Sequence, residues 1–368
     1  MIRELVYSDA VDAIWGGSVL ACGGGGWVSH GELMAEIATR IGTPILCSVD
    51  EIPDDALVAT VTAIGAPGAA NWEIQPRDYV NALKLVMDRA PGPIVAVLTA
   101  QNGASTTLNG WIQSAMLGVK VLDAAGDVRA HPTGKLGGMG LTDRPGYQTV
   151  QAVAGGNRKL HGELRLVAEG SIVTTSNVLR DVSVRVGGFI AAARNPVEAA
   201  WVKKHAAIGA ITYALDLGKA MRAAEPAGAQ AVIDATCRQT RGTILAMGPV
   251  RITSPRRTEG GFDHGTFEVD GLTLRYLNEY MTVDRGARRL ATYPDVITTL
   301  SATTGRPVAI SEITSGDRVA VFHVHRKHIP LSSSTTDRIA LAEVEQIMGV
   351  DLIRSVEAPS RTRRPERK

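Results

Sequence analysis

Cysteine is scarce in this chain. Cys22, Cys47 and Cys237 are the three present, far apart in sequence. An odd and sparse set excludes a disulfide framework and fits a reducing compartment. Long apolar runs are missing as well. None reaches the ~20 residues that span a bilayer, and no charged-then-apolar leader opens the chain. A cytoplasmic location without a membrane partner is the expectation. An excess of one charge is also lacking. Lys and Arg number 39 against 37 Asp and Glu, a net +2, so no strong field for nucleic acid exists. Much of that small excess sits at the end, in Arg361, Arg363, Arg364, Arg367 and Lys368. With Pro359 and Pro365, residues 357–368 are expected to form a disordered basic tail.

What is present is an ordinary globular composition, 45% hydrophobic and 21% charged over 368 residues, enough for two or three domains. Its most unusual feature is Leu20-Ala-Cys-Gly-Gly-Gly-Gly-Trp27, with four successive glycines, Gly23, Gly24, Gly25 and Gly26. Glycine costs backbone entropy on folding and packs no side chain. Four in a row require a sharp turn or a close approach. Residues 28–41 follow with helical spacing in Leu33, Ile37 and Ile41. A glycine loop feeding a helix N-terminus offers bare N–H groups and the positive end of the dipole, an anion or oxyanion site. The alternative is a tight turn between closely packed backbones. The spacing matches neither the dinucleotide nor the P-loop fingerprint.

The first half alternates strand-like runs (44–49, 57–64, 94–98, 119–122) with helix-like ones (78–87, 108–117). That alternation predicts an α/β layer with a largely parallel sheet. Ligands in such sheets sit beyond the C-terminal strand ends. Here those ends are polar or glycine-rich: Gly65-Ala-Pro67, Gln101-Asn-Gly103, and 123–132. Residues 171–176 read as a strand. Asn195-Pro-Val-Glu198 reads as a helix start, the helix running through Trp201, Ile208 and Leu215 toward Met221. Its Gly209 and Gly218 suggest a close backbone approach. From about residue 241 short strands dominate (243–247, 265–269, 272–276, 279–283, 318–322), with turns at Asp270-Gly271 and 304–307. They predict an all-β sandwich or small barrel, closed by a helix at 341–348. The expected organisation is an α/β domain at 1–160, a mixed α/β continuation at 161–238 and a β-rich domain at 239–356.

Asp123, Asp127, Arg129 and His131 form the densest polar cluster. Asp and His together suit a divalent metal such as zinc, or a base and its orienter. Arg129 suits a bidentate carboxylate clamp. Residues 127, 129 and 131 share a side if the segment is extended. Turn capping by the aspartates is the competing account. Asn102 sits in a polar strand end suited to holding a ligand. Glu279 interrupts an apolar strand, and buried it would need a partner or a raised pKa. Edge exposure is the simpler account of Asp295. His323 and His325 have metal-like spacing, but their basic neighbours favour a solvated strand end. Cys22 before the glycines has a nucleophile's setting, yet a small buried thiol is commoner.

These segments, in order, resemble a bacterial family found near hydantoin-utilisation genes and named after S-methyl thiohydantoin desulfurase. The resemblance rests on Leu20–Gly26, Asp50-Glu-Ile-Pro-Asp-Asp55, Gly65-Ala-Pro67, Asn102-Gly103, 123–132, 209–219, Arg257-Thr-Glu-Gly-Gly-Phe262, Leu277-Asn-Glu279, Tyr293-Pro-Asp-Val-Ile297, 304–308 and Gly316-Asp-Arg-Val319. It implies an N-terminal α/β domain, a C-terminal β domain and a cleft between them. The implied chemistry is attack on a cyclic five-membered amide or thiohydantoin ring. The chain departs from the family in the 123–133 segment, where His131 replaces an aromatic and Thr133 an acid, and at Cys22.

The expected function is therefore hydrolysis of a cyclic amide, imide or thiohydantoin. The glycine amides would stabilise an oxyanion, and Asp123, Asp127 or His131 would activate water, with or without a divalent metal. Arg129, Asn102 and Glu279 would hold the substrate. A small-molecule substrate and a homo-oligomer are the expected partners. A phosphate- or nucleotide-ligand protein, or a non-catalytic subunit of a hydantoinase-type system, are the alternatives. Against the former, no lysine follows the glycines.

Overall fold

The computed structural model describes residues 1–66 and 68–357; Pro67 of the Gly65-Ala-Pro67 motif and the basic tail expected from 357 onward, Glu357's backbone apart, lie outside the described residues. The first sheet is built on strands β1 (Ile2–Glu4), β2 (Ile45–Cys47), β3 (Leu57–Gly65), β4 (Ile94–Gln101), β5 (Lys120–Asp127), β6 (Thr149–Gly155), β7 (Leu164–Gly170), β8 (Phe189–Glu198) and β9 (Ala207–Ile208). Its order is β1-β2-β5-β4-β3-β8-β6-β7, with β9 against β5. The central block β2-β5-β4-β3 is parallel. Antiparallel strands extend it on both sides. This is the α/β layer expected from the buried, β-branched runs.

Alternation along the strands gives each face its own cover. Ala152, Ala154 and Ala193 pack with Leu83 and Val86 of helix α3 (Pro76–Met87). Val153 and Ala192 point the other way, against Leu179 of helix α5 (Ile172–Arg185). The glycine run joins helices α1 (Tyr7–Leu20) and α2 (Val28–Ile41). The predicted helix over 28–41 is present, but its buried face is His30, Gly31, Met34, Ala35 and Ala38, while Leu33 and Ile41 are exposed. Helix α4 (Trp111–Leu117) lies between β4 and β5 in sequence.

Two middle segments differ from expectation. Residues 171–176 open helix α5, because Ser171 caps it by accepting from the Thr174 N–H at 3.2 Å. That cap outweighs the β-branched composition that suggested a strand. Asn195-Pro-Val-Glu198 ends strand β8 instead of starting a helix. The single long helix is two, α6 (Ala199–His205) and α7 (Ala210–Ala224), separated by β9 and by Gly209 at φ +76°. Gly218 does mark a close approach: a Cβ there would lie 1.8 Å from the Asp12 carbonyl oxygen of α1. Gly209 meets nothing and serves its backbone conformation. Helix α8 (Ala229–Thr240) leads into the second sheet.

That sheet contains β10 (Thr243–Glu259), β11 (Phe262–Val269), β12 (Leu272–Leu277), β13 (Glu279–Arg285), β14 (Arg288–Thr292), β15 (Val296–Ser301) and β16 (Arg318–Val324). It is wholly antiparallel, in the order β14-β13-β12-β11-β10-β16-β15. β13 also touches β15, so one sheet curls into a half-barrel. The hairpin turn at Asp270-Gly271 has both residues at positive φ, +46° and +73°, as a tight two-residue turn requires. Helix α9 (Arg338–Met348) is capped by Asp337, and α10 (Ile353–Glu357) follows. Apolar residues of α1, α7 and α8 pack against Val296, Leu300, Ala320 and Phe322, joining the two halves through one core.

Candidate functional site

A narrow cleft opens at the C-terminal ends of β3 and β4, where the parallel block meets the half-barrel. Gly25, Gly26, Gln101 and His131 line it from the first half, Asn278 and Glu279 from the second. Its volume is about 50 Å³. That is above the roughly 10–15 Å³ a single water needs, so the cleft admits several waters or a small polar molecule.

The four glycines divide into two pairs. Gly23 and Gly24 are buried in packing: a Cβ on Gly23 would strike Ile310 at 2.6 Å, and one on Gly24 would strike Glu279 Oε1 at 2.3 Å. Gly25 and Gly26 reach the cleft, both at positive φ (+71° and +82°). The Gly25 carbonyl accepts from the Ser105 and Thr106 amides, which anchors the loop on the 3-10 turn after β4. The Gly26 amide has no acceptor among the described residues. A Cβ on Gly26 would lie 1.9 Å from Ser105 Oγ, so both the turn and the close approach are real.

Glu279 begins β13 and is buried, with Oε2 unpartnered. Burial pushes its carboxyl up to about 8, against the pull of Arg129, Arg180 and a hydrogen bond from the Gly25 backbone. Such a group exchanges a proton near neutrality. His131 is buried beside it in the lining. Its Nε2 lies 3.3 Å from the Ala100 carbonyl and its Nδ1 has no partner. Burial lowers its pKa to about 3, so the ring is neutral at ordinary pH. The His131 backbone N–H donates to Gln101 Oε1 at 3.0 Å.

The other predicted residues have different surroundings. Asp123 caps α7, accepting from the Ile211 and Thr212 amides at 3.0 and 2.9 Å and from the Thr212 hydroxyl at 2.6 Å. Its carboxylate is spent there, which matches the capping account and not water activation. Asp127 is fully buried outside the cleft lining. Tyr293 donates to its Oδ2 at 3.0 Å, and burial raises its pKa to about 7. Arg129 is no carboxylate clamp: it donates to the carbonyls of Ala130, Tyr280 and Asp295 at 2.7–2.8 Å. It stitches β5's continuation to the half-barrel. Asn102 does the same toward α7, donating to Val128 and Ala210 carbonyls at 3.0 Å. Residues 127, 129 and 131 thus do not converge on one ligand.

Among the described residues no three His, Cys, Asp or Glu side chains are grouped to hold a metal ion. The Asp123, Asp127 and His131 set does not fit zinc, because Asp123 is occupied by α7 and Asp127 lies off the cleft. His323 pairs with Asp295 at 3.1 Å, and His325 accepts from the Lys327 amide. Asp295 is buried, correcting the expected edge exposure: it also accepts from Arg326. Cys22 is buried at φ +49° with its thiol pushed up to about 11 by desolvation. It is structural.

Several lining residues escaped the sequence reading. Arg180 of α5, Arg194 of β8 and Glu343 of α9 face the cleft. Arg194 is 4% exposed, in the apolar run Ile190-Ala-Ala-Ala-Arg194. A charge ending such a run is the signal that was available. Lys135, 3% exposed, pairs with Glu343 at 2.5 Å and donates to Asn177 at 2.8 Å.

A mixed α/β sheet, with a cleft at the ends of its central parallel strands completed by an antiparallel half-barrel, defines a two-part protein with a small polar site. Models of the S-Me-THD-like N-terminal and C-terminal domains match residues 9–158 and 171–333. The chain belongs to the S-methyl thiohydantoin desulfurase domain family. The X-ray crystal structure of a protein from Chromobacterium violaceum is similar in fold, with a TM-score of 0.69 at 21% identity, covering 94% of this chain and 96% of that one. No curated protein matches. No helix among the described residues is long and apolar enough to cross a membrane.

Proposed function

We propose that this protein hydrolyses a five-membered cyclic amide or thiohydantoin, with Glu279 as the proton-transferring group. The observation that carries this reading is the Glu279 carboxyl. It is buried, has one unpartnered oxygen, lies against Gly24 and takes a hydrogen bond from the Gly25 backbone at the cleft. The family name supports the thiohydantoin association.

In this reading Glu279 takes a proton from water as the oxygen attacks the ring carbon bearing sulfur or oxygen. Negative charge develops on that substituent, or on the ring nitrogen where the sulfur is methylated, and the Gly26 amide is the free donor that meets it. Collapse of the adduct breaks a ring C–N bond or the exocyclic C–S bond. The departing nitrogen or sulfur takes the proton back from Glu279. His131, neutral, orients the ring without gaining charge. The water-activating role expected on sequence of Asp123, Asp127 or His131 is assigned in this reading to Glu279.

The test is turnover of thiohydantoin, S-methylated thiohydantoin, hydantoin and dihydropyrimidine by purified protein, with and without added divalent metal. Ring opening or thiol release is expected for a five-membered ring. Glu279→Gln is expected to lower turnover about 100- to 10,000-fold, the range for general acid–base catalysis. Turnover unchanged in that variant would remove Glu279 from the chemistry.

A further inference from the structure

The cleft holds more positive charge than its protein neighbours neutralise. Arg194 projects from the centre of β8, where its backbone pairs with Thr60 and Gln151. It has no hydrogen-bond or ion-pair partner among the described residues, and its Nε is buried and bare. Space for it is made by Gly134, where a Cβ would lie 1.9 Å from Arg194 Nη1. Burying a guanidinium is costly unless it is paired.

Arg180 flanks the same wall from α5. Its Nη1 donates to the Gly261 carbonyl at 2.8 Å and its Nη2 to the Pro132 carbonyl at 2.9 Å. The Phe262 ring lies 4.2 Å from its guanidinium carbon. Those hydrogen-bond partners are neutral; the acids whose charge reaches it are Glu343, Glu279 and Asp181, and none of them is bonded to it. Glu343, the acid at the rim, is already paired with Lys135. Burial favours the neutral form of Glu279, carrying its pKa up to about 8. The two arginines repel one another: each guanidinium is desolvated, and Arg180 further depresses Arg194, to about 10, which still leaves it charged. An anion between them would relieve both costs at once.

We propose that Arg194, supported by Arg180, forms an anion subsite that reads a carboxylate carried on the substrate ring. The inference rests on the ring-hydrolase reading for the ring and on Arg194 alone for the carboxylate. A guanidinium fork matches a carboxylate's two oxygens. The ligand class is therefore a five-membered cyclic amide or thiohydantoin with a short carboxylated arm.

The probes are hydantoin, hydantoin-5-acetate and inorganic phosphate, each titrated into the full-length protein by calorimetry without reference to turnover. Hydantoin-5-acetate is expected to bind about 10- to 100-fold more tightly than hydantoin, the worth of a charge-assisted hydrogen bond. Arg194→Gln should erase that preference while leaving hydantoin binding unchanged. Arg194→Lys should restore part of it. Where turnover is measurable, Arg194→Gln should raise KM for the carboxylated ring and leave kcat for the neutral ring alone. Equal wild-type affinities for the two rings overturn the proposal, and this comparison needs no variant to fold. Phosphate binding as tight as hydantoin-5-acetate overturns the carboxylate assignment. If the carboxylated ring binds through Arg194 and no ring is ever opened, the subsite stands and the hydrolase reading falls. If rings open with no carboxylate preference, the reverse holds.

Discussion

Glu279 and Asp127 are both buried carboxyls held above the usual range, and they are easily confused in a pH profile. Glu279 lines the cleft and moves to about 8, whereas Asp127 lies behind it under Tyr293 and moves to about 7. Only a group that touches substrate transfers its proton in the reaction. As a base Glu279 must be ionised, so kcat/KM is expected to rise with pH and level off above about 8. His131 cannot supply that limb, since its pKa of about 3 places its titration far below it. Measured between pH 5.5 and 9.5, roughly the window in which a carboxyl so shifted titrates, the limb should survive Asp127→Asn and vanish in Glu279→Gln. A limb that persists in the glutamate variant would mean another group governs the proton. The same comparison separates residues with similar burial by what they face. That is the distinction spacing along a chain does not carry.

At the scale of elements, Asp123 shows how a catalytic-looking residue is claimed by architecture. β5 delivers its carboxylate to the first turn of α7, where it accepts from two amides and one hydroxyl. Gly209 at φ +76° sets the angle of entry. Loss of a capping side chain costs about 0.5–2 kcal/mol. Asp123→Ala is therefore expected to lower the urea midpoint by an amount in that range and leave kcat/KM for the ring substrate within about twofold, too small to register as a transition-state loss. A large fall in kcat/KM at unchanged stability would restore Asp123 to the reaction. The parallel strands and the glycine loop were legible in the sequence because local pattern decides them. β3 is nearly all apolar or β-branched and β4 opens on the apolar run Ile94–Leu98, and four glycines have few other uses. The breaks between α6 and α7 and the strand at Asn195-Pro196 were not, because β8 is set by pairing with β3 and β6, far away in sequence. The candidate site was legible only at Gly25, Gly26, His131 and Glu279, which line the cleft. Arg180 and Arg194 were hidden, since only the sheet order brings α5 and β8 to the cleft.

Across the whole molecule, the buried titratable groups make stability depend on pH in a direction the net charge does not reveal. Glu279 moves from 4.5 to about 8 and Asp127 from 3.8 to about 7 on folding. The folded chain therefore keeps protons that the unfolded chain has released, and stability falls as pH climbs through those intervals. His131 moves from 6.5 to about 3 and His30 from 6.5 to about 4, both by burial. Their folded forms bind fewer protons, so their contribution rises with pH and is complete by about 6.5. From roughly 4.5 to 6.5 the two acids and the two histidines oppose one another. Above 6.5 the histidines have finished, while Asp127 continues to about 7 and Glu279 to about 8. One proton is worth about 1.4 kcal/mol per pH unit. Glu279 alone should then remove about 2 kcal/mol between pH 6.5 and 8.5. Urea unfolding of the ligand-free protein at those two values is expected to show the loss, and Glu279→Gln to abolish most of it. Equal midpoints for the wild type would mean that Glu279 is already ionised in the native cleft, and the raised carboxyl, with the pH limb built on it, would have to be given up.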